Sequence, residues 1–185
     1  MSRGRWSGIV WRCHWKGSLP TDASKSLGGA GGRFNVGRDS TAFKSTDAFP
    51  ALYTSRESAT AVLETLRHLM DREARSSLTR TDVLEIFDGF RHRVLTELAV
   101  DLKDVLDCSQ PARIGLDERA LVDDATYLYT QSLALASMRS GADGLLVPSA
   151  TGVGLNLIIF PSVRLPSILV MRRFADLSAV IRKYP

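Results

Sequence analysis

Cysteine is scarce: Cys13 and Cys108 are the only two in 185 residues, far apart and without CxxC spacing. That pattern excludes a disulfide framework and a structural zinc site. No apolar run reaches the roughly 18–20 residues that span a bilayer, so no membrane segment is expected. Residues 1–15 carry arginines but not the ~7–15-residue apolar centre of a secretory signal, and a cytoplasmic chain is expected. The three histidines, His14, His68 and His92, have no metal-ligand spacing among them. Walker, GxGxxG and GxSxG patterns are all missing, which removes the usual signatures of P-loop, Rossmann and α/β-hydrolase sites. Concentrated positive charge is missing too. The net charge is +4, but the densest basic cluster is Arg172-Arg173, so no nucleic-acid-binding face is expected. A mildly basic protein that takes a polyanionic small molecule explains the balance equally well.

What is present is an ordinary core: 44% apolar and 24% charged residues in a length suited to one domain. Residues 9–15 alternate with Trp11, Cys13 and Trp15 on one face, which predicts a first strand. Residues 18–47 are rich in Gly, Ser, Thr and Asp around Gly28-Gly29-Ala30-Gly31-Gly32, a long irregular stretch of the kind used as a binding loop. A short strand is expected over 49–54. Thr54-Ser55-Arg56-Glu57 reads as a capping box, opening an amphipathic helix to about residue 75 with Ala59, Val62, Leu63, Leu66 and Met70 inward. Strands are predicted over 83–87 and 93–102, joined by Asp88-Gly89. Helices follow over 116–123 and 126–140, the second closed by Gly141 at the C′ position. Strands over 145–147, 155–160 and 168–172, bounded by prolines, complete the chain. Runs of strands and helices, rather than strict alternation, predict an α+β fold with a mixed or antiparallel sheet.

Several side chains have local settings that suit a ligand. Arg33 follows two glycines, where a guanidinium fork and accessible backbone amides fit a phosphate, or where a loop arginine is simply solvated. Glu64 sits at the edge of the apolar helix stripe. There it either faces a cleft or pairs with Arg67 or His68 on the surface. Tyr53 is a core strand aromatic or a ring that stacks on a heterocycle. Ser149 ends a strand after Pro148, as a turn residue or a site residue. Asn156 and Gln131 are each either ligand donors or local structural amides.

Taken in order, these segments resemble the RES domain, named for its arginine, glutamate and serine. The matching pieces are Val10-Trp11-Arg12, Gly32-Arg33-Phe34-Asn35, Leu52-Tyr53-Thr54-Ser55 with Ala61 and Glu64, Tyr127 with Gln131, and Gly141 to Ala150 leading to Asn156-Leu157-Ile158-Ile159-Phe160. Two departures stand out. Phe34 replaces an expected tryptophan, and the Arg33-to-Tyr53 interval carries extra residues, about Arg38 to Asp47. The resemblance covers roughly residues 8–161, within a single domain of residues 1–185 whose residues 162–185 form a C-terminal strand and helix extension.

The resemblance implies an α+β fold similar to ADP-ribosyltransferases and a toxin of a type II toxin–antitoxin system that degrades NAD⁺. The nicotinamide–ribose bond would be cleaved with phosphate or water as acceptor. Some family members are described as modifying a protein instead, and a non-catalytic binding module is the remaining alternative. Glu64, Arg33 and Ser149 would be the catalytic set, with Arg12, Arg33, Tyr53, Asn156 and Gln131 binding NAD⁺. No metal or cofactor is implied, since NAD⁺ is substrate and inorganic phosphate a co-substrate. An Xre-like helix-turn-helix antitoxin covering the active-site cleft is the implied partner, and the sequence is compatible with a homodimer.

Overall fold

The computed structural model describes residues 2–69, 92–123, 127–161, 163 and 167–174. The strand expected over 83–87, its turn at Asp88-Gly89, the last part of the first helix and the C-terminal helix lie outside the described residues.

Among the described residues, eight strands and three α-helices follow in chain order: β1 (Ser2–Trp15), β2 (Gly31–Gly32), β3 (Asn35–Val36), β4 (Leu52–Ser55), α1 (Ser58–Leu69), β5 (Arg93–Asp107), α2 (Glu118–Val122), α3 (Tyr127–Arg139), β6 (Gly144–Pro148), β7 (Leu155–Ile159) and β8 (Ser167–Phe174). The main sheet runs β1-β4-β7-β6-β5-β8, and β1 also pairs with β5, so five of its strands close on themselves. Only β5–β6 is parallel; every other pairing is antiparallel. The mixed α+β architecture expected from the order of elements is present.

Periodicity explains the layers. In β6 and β7, Leu145, Val147 and Ile158 face one apolar cluster with Phe34, Phe49, Leu121, Leu135 and Phe160. Their neighbours Leu146, Leu157 and Ile159 face a second cluster with Val10, Leu52, Leu98 and Val100 inside the closed strands. Strands buried on both faces are apolar almost throughout, and in β7 the single polar residue, Asn156, is hydrogen-bonded through its side chain. Phe49 and Phe160 meet edge to face at 5.5 Å.

Several expectations are corrected. β1 begins at Ser2, well before residue 9, because polar residues 2–8 are held by pairing with β5 and by Arg3–Asp104 and Arg5–Asp101 ion pairs. Tertiary pairing there overrides weak local β-propensity. No capping box forms: Thr54 belongs to β4 and donates its hydroxyl to Leu157 O at 2.6 Å. Glu57 instead receives the Thr60 hydroxyl at 3.3 Å. The inward stripe of α1 is Thr60, Ala61, Val62 and Thr65, whereas Leu63 is exposed. Gly141 closes α3 as expected, with φ +86° and the two bonds of a Schellman motif, Ala142 N–H to Ser137 O and Gly141 N–H to Met138 O.

Candidate active site

β1 and β4 touch through one residue pair, Trp11 and Ser55, and then diverge. A cavity of about 460 Å³ lies at this divergence, lined from β1, the glycine-rich loop, β4, α1 and β7. That volume falls within the roughly 300–1,000 Å³ of small-molecule sites. Arg12, Arg33, Tyr53, Glu64 and Asn156 all reach its wall, while Ser149 and Gln131 stand behind it. Cations predominate: Arg12, Lys25, Arg33 and Arg93 line it against Asp22 and Glu64.

The partners of Glu64 among the described residues come from the β6–β7 side of the site. Its Oε1 accepts from Ser149 Oγ at 2.7 Å, Asn156 Nδ2 at 2.7 Å and Ala150 N–H at 3.0 Å. Among the described residues nothing donates to Oε2, which leaves that oxygen to the cavity. Asn156 is held in turn by the Ser55 hydroxyl at 2.7 Å, across the β4–β7 register that places the two side by side. Ser149 Oγ also accepts from Thr151 N–H at 3.1 Å. The β6–β7 turn is seated on the start of α1, where Thr60 donates to Val153 O at 3.2 Å. Ser149 is only 2% exposed and stands directly against the carboxylate.

Arg33 and Phe34 form the two-residue tip between β2 and β3, and Arg33 is 7% exposed. Asn35 holds this tip: its Oδ1 accepts from Gly32 N–H at 3.0 Å and from the Tyr53 hydroxyl at 2.9 Å. Tyr53 also accepts from Phe34 N–H at 2.8 Å. A Cβ on Gly32 would lie 2.5 Å from the Tyr53 hydroxyl oxygen, so only glycine fits this approach. Burial pushes the Tyr53 phenol well above its ordinary range, which keeps it a neutral donor.

Gln131 completes the support. Its Nε2 lies within hydrogen-bond reach of Ala30 O, Gly32 O and Asn35 O, at 3.0–3.1 Å. The amide thus ties the loop to α3. Gln131→Leu removes this donor, although Ala30 O keeps its bond from Gly37 N–H, and a loss of about 1–3 kcal/mol is expected. In thermal unfolding that is a fall of about 2–4 °C per kcal/mol for a domain of this size. An unchanged midpoint would contradict the tether.

Arg12 donates to Pro20 O at 2.7 Å and Asp22 O at 2.8 Å, holding the other end of the loop. Burial lowers its pKa to about 10, partly offset by Asp22, so it stays charged at neutral pH. The extra residues after Arg33 do not disturb this frame. Phe49 N–H returns to Val36 O at 3.2 Å, closing the excursion at its base, and Asp47 pairs with Arg139 of α3.

Sequence reasoning gave no role to Asn35, Ser55 or Arg93. Asn35 and Ser55 sit inside quoted motifs, and only strand register could have placed them. Among the described residues no group of His, Cys, Asp and Glu is arranged to hold a metal ion. No helix there is long and apolar enough to cross a membrane.

No curated protein matches this sequence significantly. Among solved structures, the fold is similar to that of the M. tuberculosis MbcT–MbcA toxin–antitoxin complex. The TM-score is 0.72 at 17% identity, covering 98% of this chain and 90% of that one. The sequence matches the RES domain over residues 9–175, most of its length, and the chain therefore belongs to the RES domain family.

Proposed function

We propose that this protein is the toxin of a toxin–antitoxin pair and cleaves the nicotinamide–ribose bond of NAD⁺. The observation that carries the reading is Glu64, clamped through one oxygen and presenting the other to a cavity whose charged lining residues are mostly cations. In NAD⁺ the leaving nitrogen is already cationic. The C1″–N bond breaks with its electron pair moving onto the pyridinium ring, and neutral nicotinamide leaves without protonation. Positive charge then develops on the ribose, where a fixed carboxylate stabilises it. An oxygen of phosphate or water bonds C1″ from the other side, and a water-derived nucleophile gives up its proton to solvent.

Arg33 and Arg12 suit the pyrophosphate, and fixing it orients the ribose against Glu64. Tyr53 borders the nicotinamide side, and Asn156 and Ser149 keep Glu64 aimed. In this reading phosphate or water is the second reactant. Because the cleft is open, the physically simplest restraint is an Xre-like helix-turn-helix antitoxin whose chain covers it, in the cytoplasm where NAD⁺ is abundant. A homodimer is also compatible with this reading.

Purified protein incubated with NAD⁺, with and without inorganic phosphate, tests the proposal by product mass. Nicotinamide with ADP-ribose-1″-phosphate identifies a phosphorylase, and free ADP-ribose a glycohydrolase. Intact NAD⁺ in both incubations overturns the reading. Label transferred to a protein target would make it an ADP-ribosyltransferase instead.

A further inference from the structure

The cavity has a second basic pole that the proposed chemistry does not use. Trp15 and Arg93 are cross-strand partners at the end of the β1–β5 ladder. The Arg93 guanidinium carbon lies 3.9 Å from the centroid of the Trp15 ring. Side chains alternate along a strand, so Trp15 and Arg12 occupy opposite faces of β1. Arg93 thus belongs to the side that carries Cys13 and the Thr65 turn of α1, away from the glycine-rich loop.

Arg93 carries unspent recognition capacity. Its Nε is buried and has no hydrogen-bond partner among the described residues. No carboxylate pairs with it there either; its neighbours are an indole face and the Cys13 thiol. Burial lowers the Arg93 pKa, partly offset by Cys13. Burial likewise raises the Cys13 pKa, so the thiol beside it is neutral. Trp15 remains 42% exposed, and both side chains line the cavity. A guanidinium seated over an indole face still has its terminal N–H groups to offer, and two of these match two oxygens of a tetrahedral anion.

We infer that the Trp15–Arg93 pair forms a second phosphoryl-binding subsite in this cavity, distinct from the Arg12 and Arg33 pole. The group it takes is a phosphoryl oxyanion, either borne by the nucleotide ligand or free as inorganic phosphate. The inference rests on the NAD⁺ reading only for the identity of the larger ligand.

The test is calorimetric binding of AMP, inorganic phosphate and nicotinamide to wild type, R93Q and R93K, with thermal unfolding recorded for each. R93Q is expected to weaken AMP or phosphate about tenfold, with nicotinamide unchanged and R93K intermediate. Loss confined to AMP assigns a ligand-borne phosphoryl group, and loss confined to phosphate assigns the free anion. Wild-type affinity of R93Q for both probes overturns the subsite, including where only its stability falls. Should R93Q not fold, phenylglyoxal labelling of wild-type Arg93, read by mass, replaces it. Protection by either probe supports the subsite, and equal labelling with and without them overturns it. Wild-type NAD⁺ turnover is scored separately, so failure of the proposed reaction is distinguishable from failure of the subsite.

Discussion

Glu64→Gln is expected to lower the rate of nicotinamide release by about 10²–10³-fold, the size associated with losing one fixed electrostatic partner of a transition state. Glutamine is the informative replacement. Its carbonyl oxygen still accepts from Ser149, Asn156 and Ala150, so the clamp survives while the charge is lost. Glu64→Ala abolishes the activity as well, but it strands donors on Ser149 and Asn156, which are 2% and 8% exposed. Leaving such groups unsatisfied costs about 1–3 kcal/mol each at most, so alanine confounds chemistry with stability. Single-turnover release of nicotinamide, beside a melting curve, separates the two. A glutamine variant with wild-type turnover would remove Glu64 from the chemistry. Asn156→Ala and Ser149→Ala keep the charge and lose part of its aim, so smaller falls are expected, expressed in kcat more than in KM.

Arg33→Ala is expected to raise the KM for NAD⁺ by about 10–100-fold, matching the roughly 1.5–3 kcal/mol of a charge-assisted hydrogen bond. The position is specific because the hairpin tip that carries Arg33 is set by Asn35, Tyr53 and Gln131. Lysine restores the charge but not the planar fork, so Arg33→Lys recovers only part of the loss. Steady-state kinetics and ADP-ribose binding read this directly. A KM within twofold of wild type for the alanine variant would place the pyrophosphate elsewhere in the cavity.

Much of the fold was legible because β6 and β7 are apolar on both faces and α3 ends on Gly141, signals that are local and strong. The start of α1 was misread because Thr54 satisfies its hydroxyl across the sheet at Leu157, a long-range partner that outweighs a nearby helix N–H. Leu63 was placed inward on spacing alone, yet the residues of α1 that pack with Trp11 and Cys13 of β1 are Ala61, Val62 and Leu66, while Leu63 is exposed. Within the site, Arg33 and Glu64 were found as residue types in suggestive settings. Ser149 and Asn156 were marked as candidates too, but not as the donors that hold Glu64, because they meet it only after β6 and β7 fold over α1. Gln131 shows the same limit: sequence marked the residue, but its three carbonyl contacts lie about a hundred positions away.

The backbone bond from Phe49 to Val36 has an evolutionary consequence. It ties off the intervening residues as a side branch, while the arginine hairpin and the β4 tyrosine are joined directly through Asn35. Insertions and deletions in that branch are thus expected to leave the site's dimensions unchanged, making it a region where length can drift without selection for turnover opposing it. The number of residues between Arg33 and Tyr53 then says little about whether a relative is active; the presence of an asparagine two positions after the arginine says more.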